Sequence, residues 1–231
     1  MSITEAILWV RERMENALIR SGRSGAEVRL CAVSKFHGAA AVEEAYNAGL
    51  RLFGESRVQE ASGKFAGFKE ARPDARVHLI GSLQRNKAKS AVSLFDCIQS
   101  VDRDSLIDEL GAVTRERGSP VPAVLLEMHT AEDSKSGFRG ADALCRAAEK
   151  VLSYPSLTLS GLMTMAPFTD DENAVRRAFR TVVSAKNMLE ARFPGHWECL
   201  SMGMSNDFEI AIEEGATLVR IGTAIFGERS A

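Results

Sequence analysis

Along this chain, short apolar runs alternate with longer stretches whose apolar positions recur every three or four residues. The short runs read as buried strands. In the first half they are Arg29–Val33, Arg51–Phe53, Val77–Ile80 and Cys97–Val101. In the second half they are Ala123–Met128, Leu159–Thr164, Cys199–Met202 and Leu218–Ile221. Between them lie helical patterns such as AAAVEEAYNAG, DRDSLIDELGAVTRERG, GADALCRAAEKVL and DENAVRRAFRTVVSAKNMLEARF. Gly49, Gly118 and Gly215 stand where such helices need a C-terminal cap. The opening stretch puts Ile3, Ile7, Val10, Met14 and Leu18 on one helical face, with Ser2 and Glu5 at capping-box spacing and Gly22 closing the helix. Its charges, beginning with Glu5, fit an amphipathic helix and not a secretion signal.

Strict strand–helix alternation implies a parallel sheet covered by helices. Eight such units are what a closed (β/α)8 barrel needs, so the expected fold is a TIM-type α/β barrel with an extra N-terminal helix. A doubly wound open sheet is the runner-up, but the chain lacks that fold's glycine-rich first turn. All six prolines fall between elements, and no linker or repeat divides the sequence. A single domain over residues 1–231 is therefore expected.

Composition narrows the function classes. Twenty-nine basic and 31 acidic residues leave a net charge of −2, which gives no whole-molecule attraction for nucleic acid or membrane. No run approaches the roughly 20 apolar residues of a membrane span. Cys31, Cys97, Cys145 and Cys199 form no CxxC pair, so neither a metal knuckle nor a redox dithiol is indicated. They read as reduced core thiols of a cytoplasmic protein.

In a barrel of this kind the chemistry gathers in loops after the strand ends. Lys35 follows the first strand, with its stem against the barrel core and its amine at the mouth. Partial desolvation there frees an amine for carbonyl attack. A lysine at a strand end is ordinarily a solvated charge, so Lys35 alone defines no site. The loops after strands seven and eight change that. SMGMSND and RIGTA offer small residues, hydroxyls and backbone N–H groups suited to a phosphate, with Arg220 as a charged partner. A lysine opposite a phosphate cradle suits a cofactor with both an aldehyde and a phosphate, and pyridoxal 5'-phosphate (PLP) is that cofactor.

These pieces resemble a known family. AVSK at 32–35, FGES at 53–56, VQE at 58–60, HLIGSLQRNK at 78–87, DSKSGF at 133–138, GLMTM at 161–165 and the stretch at 201–227 occur in order. Together they are similar to the pyridoxal phosphate homeostasis proteins, whose barrel is related to the N-terminal domain of alanine racemases. The resemblance implies a Schiff base on Lys35. It also implies phosphate contacts from Ser201, Arg220, Gly222 and Thr223, with Met202 and Gly203 alongside. Ser56 stands near the cofactor where the family usually has asparagine. FHG follows AVSK here, whereas the family tends to have proline soon after. The implied role is PLP homeostasis, as a carrier, buffer or regulator of the cofactor, with PLP-dependent apo-enzymes as candidate recipients. The isolated barrel with its balanced charge is read as a monomer in the cytoplasm.

The alternative is a PLP-dependent racemase or related amino-acid enzyme, which needs a second proton donor opposite the lysine. Alanine racemases take a tyrosine for this from a partner subunit. The two tyrosines here, Tyr46 in a helix and Tyr154 ahead of strand six, are not placed to reach the mouth. His37, His129, Lys87 and Lys135 fall in mouth-side loops, and RNKAK at 85–89 reads as a solvated helix start.

Overall fold

The computed structural model describes residues 1–117, 122–131 and 136–228. Eight parallel strands close into a barrel in chain order: β1 (Arg29–Val33), β2 (Leu52–Glu55), β3 (Arg76–Leu79), β4 (Cys97–Val101), β5 (Ala123–Glu127), β6 (Thr158–Met163), β7 (Cys199–Ser201) and β8 (Leu218–Ile221). β8 returns to pair with β1, Cys31 standing opposite Arg220 and Ala32 opposite Ile221. The open-sheet alternative is thereby excluded. Helices α1 (Ile3–Arg20), α2 (Ala39–Asn47), α3 (Val58–Ala71), α4 (Ala88–Leu94) and α5 (Asp104–Arg117) belong to the first half. Helices α6 (Gly140–Leu152), α7 (Glu172–Arg192), α8 (Phe208–Glu213) and α9 (Thr223–Phe226) belong to the second.

Residues on a strand point alternately to its two faces, and here each face has its own core. Cys31, Cys97, Leu125, Met163, Cys199 and Leu218 pack together inside the barrel. The neighbouring positions, among them Ala32, Phe53, Val77, Ile98, Leu126, Leu162 and Ile221, pack outward against the helices. All four cysteines are buried and free, as expected of core thiols. Burial in the low-dielectric lumen pushes the Cys31 thiol up to about 12, so it stays protonated and unreactive.

Three strands coincide with the sequence reading, namely β1, β4 and β8. The largest difference is β2, which the pattern ends at Phe53 and the structure continues through Gly54 and Glu55. A carboxylate at a strand end looks like loop, yet Glu55 is fully buried on the outer face. It is tolerated there because Lys64, on α3, meets its Oε1 at 2.6 Å.

The extra helix α1 forms with the anticipated capping box, Ser2 and Glu5 bonding each other's backbone N–H groups. Its apolar face packs on α8 and α9, and Arg20 bonds Glu209 and Glu213 of α8 at 2.8 Å each. Gly49 and Gly215 take the left-handed backbone of helix caps, whereas Gly118 lies outside the described residues. Within β6, Gly161 adopts φ +147°, and any Cβ there would lie 1.9 Å from the Cys199 carbonyl oxygen. Among the described residues, no helix is long and apolar enough to cross a membrane.

Candidate functional site

A cavity of about 1030 Å³ opens at the C-terminal ends of the strands. Because Cys31 and Val33 face inward, the period of two carries Lys35 to the same side, and Lys35 lines the cavity wall. Ser56, Arg220, Gly222 and Thr223 line it as well. Gly222 sits directly against β1, since a Cβ on it would lie 3.3 Å from the Val33 Cβ. The start of α9 and the lysine therefore occupy adjoining walls. Thr223 opens α9, and a helix leaves its first N–H groups without intrahelical acceptors. Ser56 abuts Gly81, which also lines the cavity.

Arg220 is the buried charge of the cavity floor, only 4% exposed. Its Nη1 donates to the Ser201 carbonyl at 2.8 Å and to Ser201 Oγ at 2.6 Å, and its Nη2 donates to the Thr164 carbonyl at 2.8 Å. Burial lowers the guanidinium pKa, while the nearby Cys31, Asp207 and Glu127 oppose that shift. Ser201 Oγ in turn donates to Gln99 Oε1 at 2.5 Å, and Gln99 Nε2 meets His78 Nδ1 at 2.8 Å. A continuous polar chain thus crosses the barrel beneath the cavity, from His78 to Arg220. With Gln99 Oε1 accepting, its amide donates to His78 Nδ1, which assigns the ring proton to Nε2.

Of the residues expected at the site, Ser201, Met202 and Gly203 lie behind the cavity lining. Ser201 is committed to Gln99 and Arg220 by its hydroxyl. Met202 points outward into the apolar core. Gly203 packs on α8, where a Cβ would meet that of Ala211 at 2.5 Å. The hydroxyl of this loop that reaches the cavity is Ser205, which accepts from the Ala224 N–H at 3.4 Å. It was missed because SMGMSND contains two serines, and the pattern alone does not reveal which one faces the cavity.

Glu127 is the second residue missed. It is 3% exposed, lines the cavity and accepts from Ser136 Oγ at 3.1 Å. Burial raises its pKa above the ordinary carboxylate value, and Asp102 adds to the rise. Its inward position at the end of β5 follows from alternation with Ala123 and Leu125, a signal that strand patterning does carry.

The remaining candidates scatter. His37 stacks on Phe226 with ring centroids 5.1 Å apart, and His129 lines a recess beside Glu127 and Ser136. Arg85–Lys87 is a short 3-10 turn, and Lys87 is not among the cavity-lining residues. Lys135, with Asp133 and Ser134 of DSKSGF, lies outside the described residues. Both tyrosine hydroxyls are engaged elsewhere, Tyr46 with Asp74 at 2.6 Å and Tyr154 with Asp108 at 2.9 Å.

The polar chain gives a pH signature. Burial pushes the His78 imidazole down to about 4 from an ordinary 6.5, so it stays neutral in the folded protein where the unfolded chain takes up a proton. The unfolded state binds more protons in that window, so stability falls as pH drops from 6.5 to 4, by up to about 3 kcal/mol. Urea unfolding at both pH values should show wild type losing more stability than His78→Gln. Equal losses would remove His78 as the source.

This arrangement places the protein in the class of (β/α)8 barrels with a ligand cavity at the strand C-termini, here furnished with an amine, a buried guanidinium and a hydroxyl-lined corner. The family model described as alanine racemase, N-terminal domain, matches residues 13–230. The chain is 42% identical over 229 residues to the pyridoxal phosphate homeostasis protein of Pseudomonas aeruginosa, covering 99% of this chain and 96% of that one. It is 37% identical to the protein of the same name from Aquifex aeolicus, over 99% of both chains. PipY of Synechococcus elongatus, solved with PLP bound, superposes with a TM-score of 0.84 at 35% identity, covering 98% of this chain and all (100%) of that one. An alanine racemase from Clostridium difficile shares the fold, at a TM-score of 0.73 and 9% identity over 95% of this chain and 58% of that one. The chain belongs to the pyridoxal phosphate homeostasis protein family, on the alanine racemase N-terminal barrel fold.

Proposed function

We propose that this protein binds PLP covalently through Lys35 and acts in intracellular PLP homeostasis, as a carrier or buffer of the cofactor and not as an enzyme. The observation that carries the reading is one cavity with Lys35 on one wall and the start of α9, with Thr223 and Ser205, on the adjoining one. The residues fit the cofactor: an amine for an aldehyde, a hydroxyl and N–H corner for a phosphate dianion, and Arg220 as fixed positive charge below. When bound, PLP supplies the aldehyde carbon that condenses with Lys35 Nζ and releases water. Ser201 keeps the Arg220 guanidinium in place, and Ser56 and Gly81 bound the cavity on the β2–β3 side. The name of the relatives and the PLP bound to PipY support the same reading.

The carrier role rests on what surrounds Lys35. Neither tyrosine hydroxyl is among the groups lining the cavity, and both are tied to carboxylates. Glu127 is the observation that favours the alternative, since a buried carboxyl facing a cavity is a usable proton donor. The proposal extends to one domain spanning residues 1–231, working as a monomer in the cytoplasm and passing PLP to apo-enzymes that need it. Nucleic acid has no part in it.

The test is to add PLP, reduce with borohydride and map the modified peptide, then assay alanine and other common amino acids for racemisation. Modification at Lys35 without racemisation above background is expected. Turnover at ordinary enzymatic rates of about 1–1,000 per second would overturn the carrier role. An unmodified Lys35 would overturn PLP attachment itself.

A further inference from the structure

Lys35 lies in a loop whose backbone is held from outside the barrel. Phe36, the next residue, is the one non-glycine with positive φ among the described residues, at +69°. An aromatic residue rarely takes that conformation unless its surroundings impose it. The surroundings here are a small charged cluster on α3. Lys64 Nζ, its side chain 9% exposed, donates to the carbonyls of Ser34 at 2.8 Å and His37 at 3.1 Å. It also meets Glu55 Oε1 at 2.6 Å and Glu60 Oε1 at 2.9 Å. Glu60 Oε1 accepts the Phe36 N–H at 2.6 Å, and Glu55 Oε1 accepts Ser34 Oγ at 2.7 Å. Residues 34, 36 and 37 are thus each tied to Lys64 or to one of its two carboxylate partners, and the tied residues flank Lys35.

Resting on the PLP reading, we propose that Lys64, with Glu60, is a positioning residue for Lys35. An ammonium bonded to two carbonyls fixes where the chain leaves β1. Glu60 then holds the Phe36 N–H, and with it the left-handed turn that directs Lys35 into the cavity. None of the three charged residues of this cluster is among the cavity-lining residues, so their effect passes through the loop backbone. Burial works against the Glu60 charge, but the bonds from Lys64 and the Phe36 N–H more than offset it, and its pKa lies below the ordinary value. Glu60 is therefore a carboxylate, and a full acceptor, at neutral pH.

Two variants test this. Glu60→Ala removes the acceptor of the Phe36 N–H. Lys64→Met is paired with Glu55→Gln, because Glu55 Oε2 is already buried without a hydrogen-bond partner and would not tolerate losing its cation. Amide hydrogen exchange on the cofactor-free chains reads the clamp directly. The rate of PLP attachment at Lys35, trapped with borohydride, reads its effect. Binding of pyridoxine 5'-phosphate, which has an alcohol in place of the aldehyde, reads the rest of the cavity. We expect faster exchange at Phe36 and roughly tenfold slower attachment, as a misplaced reacting group produces. Affinity for the alcohol analogue should stay within about twofold, because none of its contacts is altered. Attachment at the wild-type rate in both variants would overturn the inference, as would an equal loss of analogue binding, which marks a general structural role. Failure of wild type itself to attach PLP at Lys35 would sink the underlying reading, and shows without any variant.

Discussion

Lys35→Ala is expected to abolish covalent PLP completely: no near-visible absorbance band and no borohydride-trapped cofactor on the chain. On the proposed reading, Thr223, Ser205 and Arg220 would still hold the phosphate but would form no bond to carbon. Apparent PLP affinity should therefore fall by roughly a hundredfold, about 2.8 kcal/mol. The fold should survive, because Lys35 is half-buried at the mouth and belongs to neither apolar core. Calorimetry of the two cofactor-free proteins checks this, with melting temperatures expected within a few degrees. A fall far beyond the loss of ligand stabilisation would mean that Lys35 is structural. A band of wild-type intensity in the variant would place the attachment on another lysine.

Gly161→Ala should have the largest effect on stability. The residue sits inside β6, paired with Leu125 on one side and Cys199 on the other, so it cannot move away. Its φ of +147° is strained for any L side chain, and the added methyl would lie 1.9 Å from the Cys199 oxygen and 2.7 Å from its carbonyl carbon. Relief requires β6 and β7 to part, which breaks ladder hydrogen bonds in a closed barrel that has no free edge to absorb the shift. The expected loss exceeds about 4 kcal/mol, the range reached by backbone clashes in cores. That corresponds to a drop in melting temperature on the order of 10 °C for a chain of this size. Gly67→Ala is the control, since it lies on α3 with nothing within 4 Å of the added carbon, and it should be neutral or slightly stabilising. Equal unfolding midpoints for Gly161→Ala and wild type in urea would show that the strand pair yields more easily than a closed barrel should.

The barrel was legible because each strand is a short apolar run and each helix has its own period. β1, β4 and β8 were placed to the residue, and β4 most plainly so because Asp96 and Asp102 bracket it. β2 was cut short because the neutralising partner of Glu55 lies nine residues further on, and local patterning does not register a charge pair across two elements. The same limit applies at the site. Lys35, Ser56, Arg220, Gly222 and Thr223 are legible at the mouth because each stands at or just beyond the C-terminal end of a strand. Counting residues past a strand end does not say which way each one faces. Ser201, Met202 and Gly203 satisfy the count and lie behind the wall, while Ser205 and Glu127 were overlooked. Sorting them needed the parity of each strand, and parity is fixed only once the two cores are known. The clamp that Lys64 and Glu60 put on the Lys35 loop was out of reach for a related reason, since those bonds run to backbone atoms of Ser34, Phe36 and His37 that no side-chain pattern describes.

The lumen below the cavity is filled. Arg220, Ser201, Gln99 and His78 bridge it, and Cys31, Cys97 and Cys199 pack among apolar side chains further down. Among the described residues, a molecule in the cavity therefore has no way out through the lumen below it. If the proposed carrier role holds, a donor and a recipient could not flank the barrel and push cargo through its lumen, and both would have to approach from the mouth side.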